Sequence, residues 1–534
     1  MPLIAAQAWS ADRTGMQEVS EYYRHCPDQP KVLISDAVCL GRRRNRYPQC
    51  PGCRFNDEER SAAAGGPRPL TAHAASDVEQ VFVNDGVRAT YPDHLDEELA
   101  WRIGHASASY LRGALRGLDR SDPVATTVVV GRDTRGSSPA LCAALVEGAR
   151  STGAAVVDIG VVDTPQLYFA INHFRSCGGV QTTGSGRAAP YNGFKIAGQG
   201  GRPVAAETGL MDVERIAANM IKHDTGQEGA LRTQDLTNEY RAFVRGHLLS
   251  PRPMKVVVDA SNGTGGKWVP RIFDDLTDVE LICLNSEHDT EFAHVPDPLG
   301  EGCLDPLKKE VVRRGADFGV CFDGDADRVV AVDEAGEAVE PDLLTALLAR
   351  PLLARAAGST IVYDLRSSRV VAEEIKAAGG VPRRERVGYA YMRKALAESK
   401  GVFGGELCGR YYFKENFYCE SGVLVFVHLI NMLTSERRGL VELVRPLKRY
   451  TRSGRRTFES SDANAVLRRL AEAYAGARVD FLDGLTVQYE DWWFNVRPAD
   501  DQAALCLNLE ATTPELMQEK VDEVSGHLAS LVTP

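Results

Sequence analysis

The sequence predicts an α/β protein: three related α/β domains, then a smaller C-terminal α+β domain, behind a short cysteine-containing N-terminal extension. From about Val81, short apolar runs alternate with amphipathic stretches, the pattern of layered units with mostly parallel strands. A buried-strand signature followed by a turn recurs at residues 126–130, 255–259 and 359–364, spaced by roughly 100 to 130 residues as variations on one plan. After about Thr451 that alternation ends. A chain of 534 residues is also too long for a single core.

Residues 1–75 form the extension and its linker. Cys26, Cys39, Cys50 and Cys53 crowd this segment, and the two-residue gap of Cys50-Pro51-Gly52-Cys53 lets both thiolates reach one Zn²⁺. Four reduced, unliganded cysteines are the alternative. A basic stretch at 42–46 and an Ala/Gly/Pro-rich linker at 62–69 mark the segment as an accessory module. The first α/β domain (76–225) carries a βαβ unit of strand 126–130, helix 139–151 and strand 154–159. Within the second (226–337), strand 255–259 leads to two apolar runs, 318–322 and 329–332, that flank an acidic turn. Strand 359–364 opens the pattern of the third (338–450). The fourth (451–534) reads as helix 463–475, a hairpin-like stretch at 492–496, strand 504–510 and helix 514–528.

Composition bounds the function. Hydrophobic content of 44% and charged content of 25% are ordinary for a globular chain, and a net charge of −11 with pI near 5.6 argues against nucleic-acid binding. An anionic substrate therefore requires a local basic pocket. No run approaches the ~18 apolar residues of a membrane span. The start Met1-Pro2-Leu3-Ile4 lacks a secretory pattern, so a cytoplasmic location is the expectation. The other cysteines, scattered through apolar segments, fit reduced, buried thiols.

Chemistry concentrates in Cys321-Phe322-Asp323-Gly324-Asp325-Ala326-Asp327-Arg328. Carboxylates at alternate positions in a tight turn can converge on one hard cation, and oxygen-only ligation suits Mg²⁺; a solvated acidic turn is the bland alternative. The Gly-rich segment 178–187 follows a strand pattern, so its N–H groups can approach phosphate oxygens, and Ser185 stands between two glycines as an accessible nucleophile. Ten residues on, Lys195 supplies a cation. Composition alone also allows a surface turn with a solvated lysine.

These two segments, together with residues 404–418, resemble the α-D-phosphohexomutase family in its phosphomannomutase/phosphoglucomutase branch, in order and spacing from about Val81 to the C-terminus. The resemblance implies four domains around a central cleft. It further implies Mg²⁺ as cofactor, a hexose phosphate and its bisphosphate as ligands, a monomer or homodimer, and a phosphoserine that exchanges its phosphoryl group with the sugar. By resemblance Ser185 is that serine and, with Asp323, Asp325 and Asp327, holds Mg²⁺, while Lys195 and Arg88 assist proton transfer. Arg328, Glu406 and Arg497 align with substrate-binding residues, and Cys408, Arg410 and Tyr389 stand where the family places other sugar and phosphate contacts.

The chain departs from the family at several of these positions. The nucleophile loop reads Thr183-Gly184-Ser185-Gly186-Arg187-Ala188 where the family has Thr-Ala-Ser-His-Asn-Pro. Cys408 and Arg410 replace a Ser and a His, and Tyr389 follows Gly388 where a His is usual. The C-terminal phosphate loop, usually Arg-Pro-Ser-Asn-Thr-Glu-Pro, reads Arg497-Pro498-Ala499-Asp500-Asp501-Gln502-Ala503. An inward carboxylate there opposes a phosphate by about 4 kcal/mol at 4 Å, against about 1.4 kcal/mol per tenfold in affinity. Three readings follow: a working phosphohexomutase, a catalytically impaired homologue that binds or regulates, and a phosphotransferase with a different ligand.

Overall fold

The structure, a computed structural model, describes residues 73–115, 122, 126–220, 228–499 and 503–532, with the backbone alone of 23–25 and 33–35. Cys26, Cys39, Cys50 and Cys53, the expected zinc ligands, lie outside the described residues.

One strand order is used three times. In the second domain Val279–Leu284, Met254–Asp259 and Phe318–Phe322 run parallel, then Val329–Asp333 returns antiparallel and Ala338–Val339 follows. The third repeats this with Val381–Glu385, Thr360–Asp364, Phe403–Gly405, Tyr411–Phe413 and Cys419–Glu420. In the first, the same order reads Val156–Val161, Val128–Arg132, Gly178–Thr182, Tyr191–Gly198 and Gly86–Thr90. Leu231–Thr233 joins its edge, so this sheet reaches past residue 225. The Val-rich strands are buried on both faces, as parallel strands between helices must be.

Each sheet therefore has one antiparallel hairpin at an equivalent place, beyond the carboxyl ends of its parallel strands. Pairing of Thr182 with Phe194, Phe322 with Val329, and Gly405 with Tyr411 leaves residues 183–190, 323–328 and 406–410 as the three hairpin turns. Ligand sites of α/β sheets gather at that end. The nucleophile, acidic and sugar segments read from the sequence are these three turns.

Helix packing fixes the first domain. Asp96 caps Glu97–Gly113 by accepting from the Leu99 N–H at 2.9 Å, with Glu97 and Glu98 against the positive helix end. This helix lies against Ser138–Arg150 at close range because glycines face each other's backbone. A Cβ on Gly104 would sit 2.1 Å from the Leu145 carbonyl oxygen, and one on Gly148 would sit 1.9 Å from that of Trp101. Between the second and third domains the helix Gly422–Glu436 is buried almost all round, and its Phe426 packs on Phe273 and Phe318. Its first N–H, on Gly422, donates to the Ala326 carbonyl of the acidic turn at 3.1 Å.

The fourth domain is an antiparallel sheet in the order Thr451–Arg452, Ala504–Ala511, Trp492–Pro498, Leu485–Gln488 and Arg478–Asp480. Ala463–Ala473 and Pro514–Val532 pack on it over a separate core that includes Leu470, Phe494 and Leu507. The expected elements are present, with the 492–496 stretch continuing to Pro498. All eight described cysteines are free, six of them buried. Among the described residues no helix is long and apolar enough to cross a membrane.

Gly148→Val should overfill the contact between the two helices and cost the first domain about 3 kcal/mol. The expected readout is a lower denaturant midpoint for that domain, with the fourth domain's transition unmoved.

Candidate active site

Three turns from three sheets converge on one buried cluster. Asp323, Asp325 and Asp327 have no solvent exposure, and a carboxylate oxygen from each lies within 4.8 Å of the others. The turn closes on itself: the Ala326 N–H donates to the Asp323 carbonyl at 3.2 Å, and Ala326 adopts φ 53°. Such a left-handed residue in a tight turn aims successive side chains to one side.

Cations from each domain answer the carboxylates. Lys195 Nζ, from the first, lies 2.6 Å from Asp325 Oδ2 and 2.5 Å from Asp327 Oδ2. Arg328 Nε, from the second, donates to Asp323 Oδ2 at 3.0 Å, and Arg410 Nε, from the third, to Asp327 Oδ2 at 3.3 Å. Thr164 Oγ1 donates to Asp325 Oδ2 at 2.5 Å. Two oxygens, Asp325 Oδ1 and Asp327 Oδ1, are buried without a hydrogen-bond partner. Acceptor-only oxygens left bare are costly, and a divalent cation would satisfy both; the donor set fits Mg²⁺.

Burial and the neighbouring Asp327 and Asp325 hold the Asp323 carboxyl well above the usual range. For Asp327 burial acts the same way, but Arg410, Lys195 and Arg328 outweigh it and hold that carboxyl below the usual range. At Lys195 burial opposes the charge and the two carboxylates win, raising its pKa. Lys195 thus places positive charge beside the two carboxylates.

Ser185 meets this cluster. Its Oγ donates to Asp323 Oδ2 at 3.0 Å across 138 positions of sequence, with Arg328 Nη2 3.4 Å away. Ser185 is in the left-handed region at φ 48°, held there by its N–H donating to Thr183 Oγ1 at 2.8 Å. Gly186 matters for space: a Cβ there would lie 2.2 Å from Arg328 Nη2.

The remaining expected residues line the same cleft of about 1520 Å³. Glu406 accepts from the Gly388 N–H at 3.0 Å and from Cys408 Sγ at 3.1 Å, and burial followed by the charge of Asp364 pushes its pKa up. The Arg410 guanidinium lies 5.6 Å from the Tyr389 ring centre. Arg88 Nη1 donates to the Val87 carbonyl at 2.6 Å. Arg497 Nε donates to Asp483 Oδ2 at 3.1 Å; the same oxygen accepts from the Val387 N–H at 3.2 Å, which ties the fourth domain to the third. Asp500 and Asp501 lie outside the described residues.

Sequence reasoning missed Arg135. Its guanidinium, 2% exposed, donates to the carbonyls of Ser185 (2.7 Å), Arg187 (2.6 Å), Ala188 (2.8 Å) and Tyr191 (2.9 Å), and to Asp133 Oδ2 at 3.1 Å. One side chain thus holds the whole turn that carries Ser185. Also missed were Arg366, Arg386, Arg452 and Arg455, which among the described residues bring the cleft to nine arginines against six carboxylates. The local basic pocket required of an acidic chain is there. No spacing rule marks these arginines; only the folded contacts do.

Arg135→Lys keeps the charge and loses the planar fork, leaving buried carbonyls of the turn unpaired at about 1–3 kcal/mol each. Hydrogen exchange at the Arg187 and Tyr191 amides should accelerate by at least about tenfold, while exchange in Glu97–Gly113 stays unchanged.

Comparison with known proteins agrees with this geometry. The phosphoglucomutase/phosphomannomutase α/β/α domain models match at residues 79–223 (domain I), 235–336 (domain II) and 340–450 (domain III). The phosphomannomutase of Salmonella typhimurium is 32% identical over 80% of this chain and 93% of its own length. A phosphohexose mutase of Xanthomonas campestris pv. campestris is 32% identical over 83% and 97%. Among solved structures, a phosphoglucomutase/phosphomannomutase family protein from Burkholderia thailandensis superimposes with a TM-score of 0.77 at 28% identity, covering 85% of this chain and 98% of that one. The chain belongs to the phosphoglucomutase/phosphomannomutase group of the α-D-phosphohexomutase family, a family of intramolecular phosphotransferases.

Proposed function

We propose that this chain interconverts hexose 1-phosphate and 6-phosphate, through a phosphoserine at Ser185 and a bisphosphorylated sugar. The observation that carries this reading is the Ser185 hydroxyl at 3.0 Å from a buried aspartate trio, inside an arginine-lined cleft. The names of its relatives favour it: phosphomannomutases and phosphohexose mutases, with one distant fold relative described in complex with glucose 1,6-bisphosphate.

In this reading a sugar hydroxyl attacks the phosphoryl group on Ser185. The P–O bond to the sugar forms, the P–Oγ bond breaks, and the proton of the attacking hydroxyl passes to Oγ, which leaves as the Ser185 hydroxyl facing Arg328. The bisphosphate then turns, and Oγ takes back the other phosphoryl group. Such transfer needs positioning and charge neutralisation more than covalent help. Lys195 and Arg88 assist that proton transfer, and Arg88, always a cation, stabilises the oxygens that gain charge. Glu406 accepts from sugar hydroxyls, while Arg410, Arg497, Cys408 and Tyr389 wall the cleft around them. Asp323, Asp325 and Asp327, with Ser185, would hold Mg²⁺, which when bound neutralises the transferring phosphoryl group.

The test uses the full chain with Mg²⁺ and glucose 1,6-bisphosphate. Intact-mass analysis should show a labile adduct of about 80 Da, the phosphoryl mass, and mannose or glucose 1- and 6-phosphates should interconvert. Ser185→Ala should lose both, and chelation should stop turnover. Mg²⁺ binding without adduct or turnover would instead establish the impaired, ligand-binding homologue, and stabilisation by sugar nucleotides or polyols alone would indicate the phosphotransferase with another ligand.

Glu406 must be ionised to accept hydroxyl protons, and its pKa is raised. Turnover should therefore fall as pH drops through that raised value, already above the ordinary glutamate range of about 4.3. A pH–rate profile of Glu406→Gln should be lower throughout and lack that acid limb.

A further inference from the structure

We infer that Asp259, His294 and Cys321 form a second metal site, for Zn²⁺ or a chemically similar transition-metal ion. One donor atom from each lies within 4.8 Å of the other two. Asp259 and Cys321 are register partners on adjacent parallel strands, so their side chains leave the sheet on the same face. His294 reaches them from the loop that follows Val279–Leu284.

Hydrogen bonding around the histidine points to a cation. Nδ1 lies 2.8 Å from the Val295 carbonyl oxygen, which can only accept, so Nδ1 carries a ring proton. Nε2 faces Asp259 Oδ2, also an acceptor, 3.3 Å away, so the gap between them holds either a second ring proton, which the hydrogen bond to Asp259 favours by raising the His294 pKa, or a metal ion. The carboxylate cannot turn aside. Its Oδ1 already accepts from the Ser261 N–H at 2.9 Å and from Asn285 Nδ2 at 3.0 Å. A metal ion can take the place of that proton between the two acceptors, with the Cys321 sulfur as its third donor. A histidine whose second nitrogen donates to a backbone carbonyl is also oriented as metal-bound histidines commonly are.

Cys321 decides which metal. Its sulfur is fully buried, with only long contacts to Ser261 Oγ at 3.5 Å and the Phe322 carbonyl at 3.7 Å. A soft thiolate beside imidazole and carboxylate selects zinc over magnesium, whereas the trio Asp323, Asp325 and Asp327 offers oxygen alone. On binding, the Cys321 S–H gives its proton to solvent as the metal–sulfur bond forms. Because the His294 side chain is 13% exposed, solvent can reach the site and complete a tetrahedron. The site also has a structural consequence. Three residues past His294, Asp297 Oδ1 accepts from Arg328 Nη1 at 3.4 Å, so a filled site would pin the loop that braces the arginine beside Ser185.

The test uses the full chain with Cys26, Cys39, Cys50 and Cys53 changed to Ser, so that the N-terminal thiols cannot answer for it, in saturating Mg²⁺. Titration with Co²⁺ should give one equivalent per chain with the thiolate-to-cobalt charge-transfer band and the visible bands of a tetrahedral site. Cys321→Ser should remove the charge-transfer band, and His294→Gln should weaken Co²⁺ binding by more than about tenfold. Absence of a thiolate band in the parent overturns the proposal whether or not either variant folds. Co²⁺ binding with oxygen-type spectra alone, or a band that survives Cys321→Ser, overturns it as well.

Discussion

Three carboxylates buried at one point impose the constraint on which this fold depends. Removing each from water costs several kcal/mol unless it is paired, and stripping one partner from a buried pair typically costs about 3–5 kcal/mol. No single domain supplies enough cations. Lys195 comes from the first sheet, Arg328 from the second and Arg410 from the third, so neutralising the cluster and docking the domains are the same event. Backbone reinforces this: Arg328 pairs with Arg410 as an isolated bridge, and the Val329 N–H donates to the Gly409 carbonyl at 2.9 Å. Acidic and sugar turns are thereby stitched together across a domain boundary.

Repetition of one strand order explains why the parts meet. An antiparallel return after the central parallel strands puts one short turn at the carboxyl end of each sheet. When the sheets assemble around a cleft, those turns face inward together. The turns then diverge in composition according to what each contributes: a hydroxyl, a set of carboxylates, or a glutamate with an arginine. Arg135 shows how rigidly the first is held, since its one guanidinium occupies four carbonyls of the turn at once.

Legibility in the sequence followed the range of the interactions. The Val-rich strands and the helices of the fourth domain could be read because burial leaves a local pattern, and 139–151, for example, differs by one residue at each end from the observed Ser138–Arg150. The aspartates were readable because alternation within six residues is itself a local feature. Ser185 was less so, for glycine-flanked serines abound in surface turns, and its partner lies 138 positions away. Arg135 left no trace: the carbonyls it holds are 50 to 56 positions off, and an isolated arginine carries no mark of burial. Cys321 could be read as a buried thiol, while its neighbour His294 stood in a stretch with no periodicity at all.

The separation between Lys195 and its carboxylates has a bearing on how the protein is made. Asp325 is synthesised 130 residues after the lysine that neutralises it. At ribosomal speeds of about 5–20 residues per second, that gap lasts on the order of 10 s. A first domain that folds in that interval would present a hydrated ammonium on the face its neighbour will cover, which would keep that face wet. Charge that later closes the interior would thus first serve the growing chain as a guard against aggregation.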